Sequence, residues 1–190
     1  IGLAVQAIRA RGPEISLQFV AAEGLEANKT RVKFKDVEIG TVKSIALNPD
    51  RKSVRVSVQM DKQAEGLLVE DTRFWVVRPR VAAGGVSGLA TLLSGTYIAL
   101  DPGKSETSRQ EFVGLEEPPL VTSNTPGRQF VLRADDLGSL NIGAPVYFRR
   151  IQVGRVVGYG MQKDGSGVSV RVFVDAPYDA FVTQASRFWH

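Results

Sequence analysis

The sequence VKFKDVEIGTV, at residues 32–42, has a counterpart in VYFRRIQVGRV, at residues 146–156. The two stretches are 114 residues apart. With this offset and no gap, the alignment from Gly24 to Trp75 contains 13 identities in 52 positions, and it ends on RFW in both copies. Unrelated sequences of this composition would share only a handful. The chain therefore contains an internal repeat, and the fold of one copy predicts the fold of the other.

Each copy of the repeat has the pattern of β-strands. VRVSVQM (54–60) and VSVRVFV (168–174), which the same offset aligns, carry an apolar residue at every second position. Such a strand buries one face and exposes the other to water. NPDRK (48–52) and KDGSG (163–167) carry turn residues just before these strands, so each strand is expected to pair back on the preceding segment as a hairpin.

Other signals in each copy also predict short β-elements. Gly40 and Gly154 lie at the same place inside apolar strands, which indicates a bulge or a sharp bend. DKQAEGLL and APYDAFV each predict one short helical turn, and Trp75 is expected to be a structural aromatic within a strand. Many short strands separated by turn signals predict an all-β protein, with a small barrel or sandwich in each copy.

Composition divides the chain into four segments. Residues 103–127 are rich in Pro, Ser, Thr and Glu and predict a linker, although EFVGL within them is also able to form one strand. The first residues are apolar but too few for a membrane span, which needs about 20. The second copy stops before any counterpart of residues 81–100. The predicted segments are a stump or flank of an N-terminal membrane anchor (1–12), a first domain (13–104), a linker (105–126) and a second, truncated domain (127–190).

Residues 81–100, VAAGGVSGLATLLSGTYIAL, carry no charge. Their glycines and hydroxyl residues count against a membrane-spanning helix. The part GTYIALD (95–101) has the alternating pattern of a β-strand and predicts the closing strand. The adjacent Leu92 and Leu93 cannot both point inward from a strand, so the first part of the stretch is either buried beneath the barrel or exposed as an apolar interaction surface. The residues alone leave both alternatives open.

Composition also argues against several classes of function. The chain has no cysteine, and its one histidine is the final residue, His190, so neither a thiolate site nor a histidine triad is expected. No residues converge on catalytic chemistry, and we predict no enzyme, no metal site and no cofactor. The formal net charge of +4 is scattered among apolar residues, which argues against a nucleic-acid partner.

The motifs resemble the mammalian cell entry (MCE) domain family of bacterial lipid transporters. The matching order is VKFKDVEIGTVKSIAL, then VRVSVQM, then DTRFWVV, then GVSGLATLLSGTYIALDPG, and the resemblance covers residues 13–190. The tandem arrangement, with RFW in each copy and EEPPL between them, is most similar to the paraquat-inducible protein B group. The resemblance implies tandem small β-barrels of the MCE type, the second incomplete at its C-terminus.

The resemblance also implies a function and a location. Family members form six-membered rings with a central hole, and tandem domains stack the rings into a tube. One amino-terminal helix, absent from this sequence, tethers them to the inner membrane of Gram-negative bacteria. They project into the periplasm and move phospholipid between the inner and outer membranes, which supports outer-membrane integrity. The implied partners are phospholipids, further copies of the chain in a hexamer, and an inner-membrane protein.

In the family, the loop before the last strand lines the pore with apolar side chains. Its adjacent leucines match Leu92 and Leu93 here, and Val86 and Leu89 are the expected neighbours. Flanking glycines would allow the loop to bend; these are Gly84, Gly85, Gly88 and Gly95. An alternative from another class is a non-conducting structural or adhesive barrel protein whose apolar loop only joins subunits.

Overall fold

The computed structural model describes residues 11–78 and 95–189. The regular elements of these residues are β-strands apart from two short 3₁₀ helices, in two units, Ile1–Pro119 and Leu120–His190, so the all-β prediction is confirmed. Most of the predicted anchor stump, residues 1–12, lies outside the described residues. Among the described residues, no helix has the length and apolar character that a membrane crossing requires.

The first unit is a seven-stranded sheet that curls into a nearly closed barrel. Its strands are β1 (Arg11–Phe19), β2 (Arg31–Phe34), β3 (Val37–Leu47), β4 (Val54–Asp61), β5 (Arg73–Val77), β6 (Tyr97–Asp101) and β7 (Glu111–Val113). Neighbouring strands follow the order β5-β6-β2-β3-β4-β1-β7. Trp75 of β5 forms a bridge with Leu115, just after β7, and the Leu115 N–H donates to the Phe74 carbonyl oxygen at 2.7 Å. The two ends of the sheet therefore meet.

The alternation in β4 builds the core of this barrel. Val56, Val58 and Met60 are fully buried on one face, as predicted, and Val54 packs partly buried against the same cluster. Phe74 of β5 is also fully buried, and its ring centroid lies 4.9 Å from that of Phe112 in β7. Burying each such side chain contributes about 1.5–3 kcal/mol, which holds the sheet in its curled form.

Several local predictions are confirmed in the first unit. β3 and β4 pair antiparallel as a hairpin across residues 48–53, and residues Lys62–Leu67 form a short 3₁₀ helix. The register between β2 and β3 shifts beside Gly40, where a side chain would place its Cβ 2.7 Å from the Met60 sulfur. Within the predicted linker, EFVGL contributes the strand β7, which pairs parallel with β1.

Asp71 joins the turn before β5 to the chain that follows β6. Its carboxylate accepts the backbone N–H groups of Lys104 and Ser105, each at 2.9 Å. These two hydrogen bonds hold the pKa of Asp71 below its ordinary value, because they stabilise the charged carboxylate. The strand connections at this end of the barrel therefore depend on an ionised side chain.

We expect Asp71→Asn to destabilise the first unit at neutral pH and to have little effect in acid. A carboxyl whose pKa is lowered by folding contributes stability above its unfolded pKa of about 3.9, and that contribution is lost as the pH falls through the lower folded pKa. The free energies of unfolding of the parent chain and of Asp71→Asn, measured by urea denaturation from pH 7 to pH 3, should therefore converge below pH 4. A difference that is constant across this range would contradict the assignment.

The second unit repeats the first four strands of the barrel. Its strands are β8 (Gly127–Ala134), β9 (Pro145–Phe148), β10 (Ile151–Met161) and β11 (Val168–Asp175), followed by a 3₁₀ turn at Tyr178–Phe181. Their order, β8-β11-β10-β9, reproduces β1-β4-β3-β2. The predicted hairpin and helical turn are present, and the register of β9 and β10 shifts beside Gly154, as it does beside Gly40.

The described part of the second unit contains no counterparts of β5, β6 and β7. Equivalent aromatic side chains of the two units differ in how far they are exposed to solvent. Phe74 is 0% exposed, whereas its counterpart Phe188 is 38% exposed; Trp75 is 9% exposed, as expected of a structural aromatic, whereas Trp189 is 88% exposed. The same residue type is thus buried in one copy of the repeat and exposed in the other.

Candidate functional site

The candidate site is the apolar segment, which we define as residues 81–94, together with the strand ends that hold it. Seven of the eight predicted site residues lie outside the described residues, namely Leu92, Leu93, Val86, Leu89, Gly84, Gly85 and Gly88. The eighth, Gly95, has a φ of 67°, a backbone conformation that glycine adopts readily. Its role as a hinge stays a prediction.

The described residues that flank the apolar segment lie at one end of the first barrel. The chain leaves after β5 and returns in β6, and these two strands are antiparallel neighbours. Val77, the last residue of β5, pairs with Tyr97, the first residue of β6. The structure therefore brings residues 78 and 96 close together, and we call these two residues and their neighbours the root of the apolar segment.

A turn at Glu23 and Gly24 braces this root from both sides. The Glu23 carbonyl oxygen accepts a hydrogen bond from Arg78 Nε at 3.4 Å. A side chain at Gly24 would place its Cβ 2.8 Å from Thr96 Oγ1, so glycine allows the close approach of Thr96. The sequence alone does not predict this brace. Its one signal was the identity of Gly24 with Gly138, which also has a positive φ.

Charged and aromatic groups surround the root on the side of Tyr97. Lys33 Nζ lies 5.0 Å from the centre of the Tyr97 ring, an arrangement in which the cation is attracted to the ring face. Burial, and after it the negative charge of Asp36, raise the pKa of Tyr97 above its ordinary value. The opposite end of the β5–β6 pair is held by an ion pair between Arg73 and the buried Asp101.

The described part of this site has binding groups but no assembled catalytic group. Three or more His, Asp or Glu side chains do not converge anywhere in residues 11–78 and 95–189 in a way that would hold a metal ion. The root instead combines a neutral tyrosine, a lysine and an arginine around the ends of an apolar segment. Such an arrangement is able to hold an amphiphilic ligand or to present the segment to another subunit.

Comparison with known proteins identifies the family. The model of the MlaD protein family matches residues 11–103 and 126–188, more than half of the chain. The chain is 37% identical over 180 residues to an Escherichia coli protein named lipophilic envelope-spanning tunnel protein B, covering 95% of this chain and 20% of that protein. It is 36% identical over 185 residues to a Haemophilus influenzae protein named probable intermembrane transport protein, covering 97% of this chain and 21% of that protein.

The chain thus spans about a fifth of the length of the curated relatives that it matches. Each of the two matched ranges contains one copy of the internal repeat, and the barrel geometry of the first unit agrees with the fold that the motifs implied. The chain therefore belongs to the MlaD protein family, the MCE domain family that its sequence motifs indicated.

Proposed function

We propose that this chain is a non-enzymatic module of a protein that moves phospholipid between the inner and outer membranes of a bacterial envelope. In this proposal it acts in the periplasm, as part of a protein that an N-terminal helix anchors to the inner membrane. Six copies of the first barrel surround a central pore, and Leu92, Leu93, Val86 and Leu89 line it. The names of the two relatives, which refer to intermembrane transport and to a lipophilic tunnel, support the proposal.

The observation that carries the proposal is the position of the described residues that flank the apolar segment. They are adjacent, at one end of a barrel whose described core is assembled from β1 to β7. A segment anchored in this way is free to present its leucines to a ring axis without disrupting the sheet. The polar and aromatic groups at the root, Lys33, Tyr97 and Arg78, lie where an amphiphile would require neighbours for its polar end.

The energetics of acyl-chain transfer favour an apolar lining at this place. Removing an acyl chain from water is favourable by about 0.8 kcal/mol for each CH₂ group, provided that an apolar wall replaces the water. Two adjacent leucines repeated around a ring would make that wall continuous. Conduction of this kind requires no covalent chemistry, which is consistent with the binding groups of the described site.

Site-specific photocrosslinking in cells tests the proposal. A photoreactive amino acid at position 92 or 93 of the full-length protein should yield adducts with labelled phospholipid. The matched control carries the same amino acid at Val113, whose side chain is 76% exposed on β7, and should yield few phospholipid adducts. Adducts only between subunits would support the alternative function, a structural or adhesive barrel in which the apolar segment joins subunits.

A further inference from the structure

The hairpin between β9 and β10 ends in two consecutive arginines with an uncommon backbone conformation. Arg149 and Arg150 have φ values of 50° and 68°, so this two-residue connection is a type I′ turn. Such turns favour Asn-Gly, because side chains other than Asn, Asp and Gly are strained at positive φ. The residues at this tip are therefore not those that local folding energetics would select.

The tip combines unpaired positive charge with exposed apolar side chains. We define the basic tip as Phe148, Arg149, Arg150 and Ile151. Neither guanidinium has an ion-pair or hydrogen-bond partner among the described residues, and that of Arg149 lies 5.5 Å from the centre of the Phe148 ring. Ile151 is 56% exposed, and Phe148 is 49% exposed.

The equivalent hairpin of the first unit shows that the exposure of Ile151 is not simply a consequence of missing neighbouring strands, whereas Phe34, the counterpart of Phe148, packs partly buried against the barrel core. Val37, the counterpart of Ile151, is 55% exposed although the first barrel is nearly closed. The turn there is also of type I′, with φ values of 51° and 63°, but its residues are Lys35 and Asp36, which carry no net charge. The two hairpins thus share a shape and an exposed aliphatic residue, and they differ in charge.

The two arginines account for most of the net positive charge of the second unit. From Leu120 to His190 the chain has eight Lys and Arg residues against five Asp and Glu residues, an excess of three, of which Arg149 and Arg150 account for two. A nucleic-acid surface would require a broader basic patch. Paired basic residues beside exposed aromatic and aliphatic side chains instead match the interface of a bilayer with anionic headgroups.

We propose that the basic tip binds the surface of a membrane that contains anionic phospholipid. The guanidinium groups contact headgroup phosphates, and Ile151 and Phe148 enter the boundary between the headgroups and the acyl chains. This contact is separate from the apolar segment of the first unit and does not depend on the proposed conduit.

Vesicle cosedimentation with this 190-residue chain tests the inference. The protein should bind phosphatidylcholine vesicles that contain roughly a third phosphatidylglycerol, bind vesicles of phosphatidylcholine alone weakly, and lose binding as salt is raised. The double substitution Arg149→Asn with Arg150→Gly should lower the partition coefficient about 30-fold, which is the effect expected for two basic residues near a charged surface. This variant is expected to fold well, because Asn-Gly suits the turn.

The matched control is Lys35→Asn with Asp36→Gly, which makes the same change of turn in the first unit without changing the net charge. It should bind anionic vesicles as the parent chain does. The inference is wrong if the parent chain does not bind anionic vesicles, if both double variants bind equally, or if polyglutamate or DNA competes fully at low concentration. Because the assay does not measure transport, each of these results leaves the proposed function untouched.

Discussion

Phe74→Ala should destabilise the first barrel by about 3–5 kcal/mol, the range typical of removing a fully buried aromatic ring. Phe74 is 0% exposed and packs on Phe112, so the substitution leaves a cavity between β5 and β7. This is also where the sheet closes, since the Leu115 N–H donates to the carbonyl oxygen of Phe74. Urea denaturation, followed by the fluorescence of Trp75 in a Trp189→Phe background, would report on the first unit alone.

The second copy of the repeat provides the control for this substitution. Phe188→Ala changes the equivalent residue, but Phe188 is 38% exposed, so its removal should have a much smaller effect on the stability of the second unit. Far-UV circular dichroism follows the unfolding of the whole chain, in which the transition of the second unit should shift little. A loss below about 1 kcal/mol for Phe74→Ala would contradict full burial of the ring and therefore the closed core of the first barrel.

Leu92→Asp and Leu93→Asp should each abolish phospholipid passage while leaving the barrel folded. An aspartate in an apolar channel must lose its hydration without gaining a partner, which is costly. In a six-membered ring, each substitution would place six such carboxylates around one constriction. Cells that produce only the variant protein should become sensitive to detergent, and the purified variant should unfold at the same urea concentration as the parent protein.

Leu47→Asp is a suitable control for these variants. Leu47 is 62% exposed at the end of β3, so the same change of side chain should affect neither stability nor passage. If Leu92→Asp or Leu93→Asp prevents folding, the leucine belongs to the core of its own subunit, and the conduit proposal fails. If the variants fold and the cells remain resistant to detergent, the segment serves only to join subunits.

The strands that depend on local pattern were predicted well from the sequence. Val56, Val58 and Met60 are buried because a strand places alternate residues on one face, and the turn residues before them set the hairpin. The offset of 114 residues also aligned Gly40 with Gly154, and both strands shift register beside that glycine. Period and turn chemistry are properties of short segments, so one sequence is enough to reveal them.

The features that depend on distant parts of the chain were harder to predict. β7 has three residues and pairs in parallel with β1, almost a hundred residues earlier in the chain, so its own sequence does not indicate its partner. β8 was also not recognised as a repeat of β1. Leu17 lies opposite Val56, and Leu132 lies opposite Val170. Leu17 and Leu132 are therefore equivalent and 115 residues apart, whereas Val56 and Val170 are 114 residues apart. An ungapped comparison misses this change of one residue.

The residues of the candidate site illustrate the same limit. The apolar segment was recognisable by its composition, but Glu23 and Gly24, which brace its root, are more than 50 residues from Arg78. Nothing in the local sequence predicts that contact, because it arises only once β5 and β6 lie beside the turn that precedes β2. Family resemblance pointed to the leucines, and the coordinates pointed to the groups that hold the ends of their segment.

The bridge between Trp75 and Leu115 has a practical consequence for dividing this protein into parts. Expression of the first domain alone, ended at residue 104 where the compositional boundary falls, would delete β7 and leave β1 and β5 as unprotected edges. Such edges recruit strands from other molecules, and insoluble material is the common outcome. A recombinant boundary placed after residue 119 keeps the closing strand.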